Sequence, residues 1–383
     1  MAANKKSSEN DDRLNWRYQD KTYNELFKKW RKQSKDAHGF YYVDKSNELT
    51  YRDGFGFVKE YPEAVERNAL LNVYNIVGVT IIIVALLDLF MYYVFPQTFA
   101  AMGVDIYYDR YTHDFYGNEW LVMIIYTVIE VLKRLLPLLY CYKKLKMPVK
   151  VMMPTKIINK PMFKIAVPVM LMVSGISAAA TGVYEQVLGI LHIVPREDIH
   201  LPQGTGETIF CIIVNMLIIP AISEIYTRGT VMQLLRQFGD GMAVIFTAFL
   251  TAMITYNPHQ FCYVFVTSLV IGYFTLRTGS VVTAVIMRIV ARVFAYAAYA
   301  IDTALPAEID GVIEMAFIFI CIMTGLIVFI RFLFQHSDKL GMSLESRYLS
   351  LSEKLLTAFT CVPIVIGMTM MIIIVLMRVK IEI

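Results

Sequence analysis

Two pairs of charged residues stand one helical turn apart inside apolar sequence: Glu224 with Arg228, and Arg288 with Arg292. Charge in hydrocarbon is costly, so ionisable residues there face a bundle interior, pair with one another, or do chemistry. Glu224 is the group able to act as a general base, given a water within hydrogen-bond reach. Ser223 beside it carries a hydroxyl, but needs a neighbouring base to become a nucleophile. One carboxylate faces three guanidinium groups. The balance has to come from another carboxylate, a lipid phosphate, a ligand or water. Glu130, Glu207 and Glu314 are the acids able to serve instead. A third cluster, Glu130 with Lys133 and Arg134, has the three- and four-residue spacing that places side chains on one helix face to pair. Among the histidines, His259 falls nearest these groups, close to an outer interface. His38, His113, His192, His200 and His336 fall in loops or near the ends of apolar runs.

The elements that position these residues are long apolar runs. The chain has 383 residues, 57% hydrophobic and 18% charged. An ordinary soluble domain carries about 25% charged residues. The charges are also segregated. Residues 1–67 are dense in Lys, Arg, Asp and Glu, and form a cytoplasmic N-terminal extension. Residues 68–383 form a transmembrane domain. Each bilayer crossing takes about 20 apolar residues as a helix. The pattern predicts an all-α, polytopic transmembrane helical bundle of about 8–9 spans. The runs are Leu70–Phe95, Trp120–Tyr142, Ile165–Leu191, Thr208–Ile225, Met242–Tyr256, Phe261–Leu276, Val281–Ala300, Val312–Phe334 and Leu355–Met377. The fifth and sixth are short and joined by Asn257-Pro258-His259, which predicts a tight helical hairpin. Ser174, Gly175, Ser177, Ala178, Ala179, Ala180 and Gly182 predict close helix approach in the third.

Orientation follows from the loops. Lys143–Lys164 holds seven lysines and no acid, which predicts a cytoplasmic loop and a cytoplasmic N-terminus in the cell membrane. The same lysines suit anionic lipid. Alternate loops lean acidic: Asp105, Asp109 and Asp114 in one, Asp302, Glu308 and Asp310 in another. Residues Tyr23–Trp30 read as a short amphipathic helix, with Leu26, Phe27 and Trp30 on one side and lysines on the other, which suits either a membrane surface or, by preference, the protein's own cytoplasmic face. Gly39–Pro62 reads as a small ordered cap. No cleavable signal peptide is expected, since no early apolar core follows the charged start. The five cysteines are scattered, odd in number and without a CxxC, so buried free thiols are expected. The partner implied throughout is the lipid bilayer, not nucleic acid.

The stretch Pro220–Arg292 resembles the core of the CPBP family of intramembrane proteases, also called CAAX-protease or Abi proteins. The family pattern opens with Glu-Glu-x-x-x-Arg-Gly at the end of a span. This chain has Ser223-Glu224-Ile225-Tyr226-Thr227-Arg228-Gly229. The family turn Gly-Tyr-x-x-x-Arg-Thr-Gly-Ser is matched by Gly272-Tyr273-Phe274-Thr275-Leu276-Arg277-Thr278-Gly279-Ser280. The resemblance implies a CAAX-protease-like core over about 163–335. It also implies hydrolysis by a Glu-activated water, with His and Asn side chains binding a metal or holding the oxyanion.

The chemical positions depart from that pattern. Ser223 stands where the family's first Glu would be. Thr251 and Thr255 replace the Phe and His of its second motif, and Arg288 and Arg292 replace the His and Asn of its third. A guanidinium is a donor with no lone pair for a metal. No cofactor and no metal site are therefore expected, and no catalytic residue is assigned among the motif positions. The reading is a pseudo-protease that acts as a binding, immunity or scaffold protein. Its binding residues are Glu224, Arg228, Arg288 and Arg292, with an anionic lipid, a peptide or a membrane-protein partner as guest. The alternatives are an endopeptidase of altered chemistry acting on a peptide or lipidated protein, and a transporter or channel component. No clear internal repeat favours the last.

Overall fold

The computed structural model describes residues 16–38, 49–54, 56–59, 61–104, 106–108, 115–190, 193–194, 204–306, 308–336, 340, 348–378 and 380–381. Helices dominate. Among the described residues the strands form three two-stranded antiparallel ribbons: β1 (Leu49–Arg52) with β2 (Gly56–Lys59), β3 (Ile106–Tyr108) with β4 (Phe115–Gly117), and β5 (Ile193–Val194) with β6 (Lys380–Ile381). Of the expected cap over Gly39–Pro62, residues 39–48 lie outside the described ones, as do Asp105, Asp109, Asp114, His113, His192 and His200.

The chain begins with α1 (Lys21–His38) and continues with α2 (Pro62–Leu89), α3 (Phe95–Ala101), α4 (Glu119–Leu145), α5 (Val149–Met152) and α6 (Lys160–Ile190). A long rod follows, made of α7 (Thr205–Ile213), α8 (Ile219–Glu224) and α9 (Met232–Leu235) with π-helical turns between them. Then come α10 (Asp240–Met253), α11 (Pro258–Thr278), α12 (Val281–Ala304), α13 (Asp310–His336), α14 (Leu351–Phe359) and α15 (Val362–Arg378). Six of the described helical rods are long and apolar enough to cross a membrane, or seven if the pair α14 and α15, bent by 73°, is one span. The remaining two runs read from the sequence are also helical. α4 has 27 residues but carries Glu130, Lys133 and Arg134 near its middle. α10 is apolar but only 14 residues long. The protein is a multi-pass helical membrane protein.

Two of the π-turns have a shared cause. Phe90–Val94 and Val214–Ile218 each begin six residues before a proline, Pro96 and Pro220. Proline has no N–H for the carbonyl four residues back, and its ring crowds that carbonyl. The helix widens there by a residue and continues. The third π-turn, Ile225–Val231, carries Arg228 and Gly229.

α6 packs against α11, α12 and α13, while α2 packs against α4 and α15. The small-residue face of α6 is used in part. A Cβ on Gly175 would come within 2.8 Å of Ile322, whereas one on Gly182 would meet nothing within 4 Å. Helices therefore approach closely at the buried Ser174–Ser177 turn but not beyond it.

The helix α1 lies against the membrane domain. Tyr23, Phe27 and Trp30 are buried in one apolar cluster with Leu145, Met152, Tyr226 and Leu235. Trp30 Nε1 donates to the Leu145 carbonyl at 2.8 Å. This contact sets α1 at the lysine-rich end of the bundle, where Lys143, Lys144, Lys146 and Lys150 are exposed. The α14 end is fixed by a buried pair. Lys354 Nζ lies 2.9 Å from Glu66 Oε1 and donates to the Phe238 carbonyl at 2.5 Å, while Glu66 Oε2 accepts from the Tyr348 and Leu349 amides. All five cysteines are free.

Candidate functional site

Glu224 closes α8 and is fully buried. Arg228 lies one turn further on, inside the π-turn, and its Nε sits 3.3 Å from Glu224 Oε2. Arg288 reaches the same carboxylate from α12, its Nε donating to Oε1 at 2.7 Å. Both oxygens thus face guanidinium groups. Stripping water from three ions costs several kcal/mol each. An ion pair near 4 Å in surroundings of intermediate polarity gains roughly 4 kcal/mol. Two such pairs do not settle three desolvations, and further hydrogen bonds offset the difference. Arg228 Nη1 donates to Thr227 Oγ1 at 2.9 Å and to Thr251 Oγ1 at 2.6 Å, and its Nη2 donates to the Ser268 carbonyl at 2.9 Å. Arg288 Nη2 donates to Ser268 Oγ at 2.7 Å.

The cluster thus joins four elements: α8 with its π-turn, α10, α11 and α12. Close backbone contacts hold them there. A Cβ on Gly229 would lie 2.5 Å from the Met152 carbonyl oxygen. Gly279 ends α11 at φ +76, and a Cβ on it would lie 1.9 Å from the Tyr18 carbonyl oxygen. Beside it, Thr278 O accepts from the Ile158 amide and Ser280 Oγ donates to the Thr155 carbonyl, both at 2.9 Å. The Arg277-Thr278-Gly279-Ser280 turn therefore anchors the start of α12 to the lysine-rich loop, and with it the register of Arg288.

A second buried cluster lies on α2 and α4. Lys133 Nζ is 2.5 Å from Asp88 Oδ1 and 2.5 Å from Glu130 Oε1, and Arg134 Nη1 is 2.5 Å from Glu130 Oε2. Two acids balance two bases. The pairing on α4 was legible in the sequence. Asp88 was missed, though it is the lone carboxylate within Leu70–Phe95 and so carried a signal.

The other expected residues divide. Thr251 joins Arg228. Thr255 turns its hydroxyl to its own Ala252 carbonyl at 2.6 Å. Ser223 contributes its carbonyl, which accepts from Thr227 Oγ1 at 2.9 Å. Arg292 is half-buried and forms no ion pair or hydrogen bond among the described residues; its electrostatic neighbours are Arg288, Tyr296, Tyr126 and Arg134. Glu130 is taken by Lys133 and Arg134, and Glu314 faces Asp302 and Asp310, so neither supplies the missing acid for Arg292. His259 is buried, and neither ring nitrogen has a hydrogen-bond partner among the described residues. Ser268 and Gln233 are the members that sequence reasoning passed over. A lone buried hydroxyl in an apolar helix gives little signal. Gln233 Nε2 donates to the Arg228 carbonyl at 3.1 Å, and its Oε1 accepts from Tyr23 OH at 2.6 Å, so α1 reaches the site through one side chain.

A metal would need lone pairs at the family's histidine and asparagine positions. Thr255, Arg288 and Arg292 stand there, and the two guanidiniums present only N–H donors, so the site does not fit a metal. Among the described residues, no three His, Cys, Asp or Glu side chains gather to hold one.

Fold and site together define a polytopic α-helical membrane protein with an ionic cluster at the crossing of its central helices. Residues 205–294 match the family of Rce1-like proteins, described as type II CAAX prenyl endopeptidase Rce1-like. That match takes in Glu224, Arg228, Thr251, Ser268, Arg288 and Arg292, and agrees with the resemblance to CAAX proteases in the motifs. No curated protein and no solved structure matches the chain.

Proposed function

We propose that this CAAX-protease-like membrane protein binds rather than hydrolyses, as a pseudo-protease serving a binding, immunity or scaffold role. The observation that supports this is the engagement of Glu224. A general base needs a free lone pair directed at a water. Glu224 is instead enclosed by Arg228 and Arg288, whose guanidinium groups face both of its oxygens. At the motif positions, Thr255, Arg288 and Arg292 offer no imidazole. The test is cleavage of a prenylated peptide by purified protein in lipid nanodiscs, beside Glu224→Gln. No cleavage above background by either is the expected result. Turnover by the wild type that Glu224→Gln abolishes would overturn the reading and establish the alternative, an endopeptidase of altered chemistry.

The same reading places α1 and the lysine-rich loop on the cytoplasmic side of the cell membrane. The support is the run of exposed lysines beside α1. A single cysteine introduced at Lys156 in a background lacking the native cysteines should label with an impermeant maleimide only after the cells are opened. Labelling of intact cells would reverse the orientation.

A further inference from the structure

The end of the bundle that carries α1 is strongly basic. All seven lysines of Lys143–Lys164 are exposed, and that loop has no acid. The way α1 docks adds to them. Tyr23, Phe27 and Trp30, four and three residues apart, share one side of the helix and are buried in the bundle. On the opposite side, helical spacing brings together Lys21, Glu25, Lys29 and Lys32, all exposed. Residues 20–33 and 143–164 thus present ten exposed lysines against two acids, Asp20 and Glu25. Asp20 Oδ2 lies 3.8 Å from Lys156 Nζ, so helix and loop join in one surface.

Chain continuity and one hydrogen bond fix the level of this surface. Lys143 follows directly on the apolar run Trp120–Tyr142, and Lys164 directly precedes the run that begins at Ile165. Both stand where hydrocarbon gives way to headgroups. Trp30 Nε1 donates to the Leu145 carbonyl at 2.8 Å, two residues beyond Lys143, and α1 also packs on α5. The helix is thereby held beside the headgroups.

A helix that inserts into lipid keeps its apolar side free for it. Here protein occupies that side, and α1 has only charge left to offer. A topology signal does not account for that charge. Lysines set orientation within about 15–20 residues of a span, whereas Lys32, the nearest of the three exposed lysines of α1, precedes Leu70 by 38 residues. Basic clusters at this level attract anionic headgroups, and the attraction grows with each lysine.

We propose that the outer face of α1 (Lys21, Lys29, Lys32) and the lysine-rich loop form one docking surface for the anionic headgroups of the adjoining leaflet, so that anionic lipid tightens α1 on the bundle. This goes beyond the binding role above and does not rest on it.

The experiment is hydrogen exchange of the full-length protein in nanodiscs of phosphatidylcholine, with and without phosphatidylglycerol. The expected result is exchange over Lys21–Gln33 slowed about fivefold or more by phosphatidylglycerol, and the effect lost at about 1 M salt, where the screening length falls to about 3 Å. Lys21→Gln, Lys29→Gln and Lys32→Gln combined should remove most of the effect. The matching triple change to arginine should keep it, since the attraction asks for charge and not for a particular cation. All three side chains are exposed, so both variants keep the buried contacts of α1. Equal exchange in the two lipids, slowing that survives in the Gln variant, or slowing that salt does not reduce overturns the proposal.

Discussion

Arg288 and Glu224 are 64 residues apart in the chain and meet at 2.7 Å in the middle of the bundle. Arg288 stands where the resemblance would place a histidine, and its guanidinium holds one oxygen of the carboxylate that the resemblance would make catalytic. Removing the carboxylate strands two buried cations, while removing Arg288 leaves Glu224 with Arg228. Glu224→Gln should therefore cost about 3–5 kcal/mol of stability, more than Arg288→Gln, and the double variant should cost less than the sum. Thermal unfolding in detergent, run as a double-mutant cycle, reads this. Strict additivity would dissolve the pair.

Lys133 sits between Asp88 and Glu130. Lys133→Met removes the 2.5 Å ion pair of Asp88, while Glu130 keeps Arg134. The single change should destabilise by several kcal/mol, and Lys133→Met with Asp88→Leu should recover most of it, because an apolar pair of similar volume replaces a desolvated ionic one. A double variant as unstable as the single would contradict this account.

Gly279→Ala and Gly229→Ala both press a methyl group onto backbone oxygen, at 1.9 Å and 2.5 Å before relaxation, and Gly279 also needs its positive φ. Overpacking costs about 1–3 kcal/mol, so Gly279→Ala should lower the unfolding temperature more than Gly229→Ala. Gly182→Ala, which meets nothing, is the control.

Burial beside the membrane domain pushes the Tyr23 hydroxyl up to about 12, against the pull of the nearby Arg236 cation. A folded-state value raised above the ordinary tyrosine value near 10 means docking is favoured in full below about pH 10 and weakened between about pH 10 and 12. Limited proteolysis of α1 should rise over that window. In Tyr23→Phe this component should be absent and cutting should be faster already at neutral pH, since the Gln233 bond is gone. A wild type and variant with the same pH profile would rule out Tyr23 as the titrating group.

The fold class and the helix positions could be read because membrane spans are written in composition. A helix that satisfies its own backbone needs only length and apolar side chains to cross lipid. All nine runs are helical among the described residues. Their differences from simple spans are local. Prolines at 96 and 220 widen helices that hydropathy treats as regular, and the ions on α4 leave that helix outside the apolar criterion. The pairing of Glu130 with Lys133 and Arg134 was equally legible, since helix geometry fixes which neighbours share a face.

Glu224, Arg228, Arg288 and Arg292 were recognisable one by one from charge inside apolar sequence and from motif position. Their sorting was not. Whether a buried guanidinium finds a carboxylate depends on how separate helices cross, and that is set by contacts such as Gly229 on Met152 and the Gly279 turn on Tyr18. The sequence alone determined that charges would be buried in this bundle. Only the tertiary structure decided that Glu224 takes Arg228 and Arg288, that Asp88 joins Lys133, and that Arg292 forms no ion pair among the described residues, because Coulomb energy and hydrogen bonding act over a few ångströms of space, not along the chain.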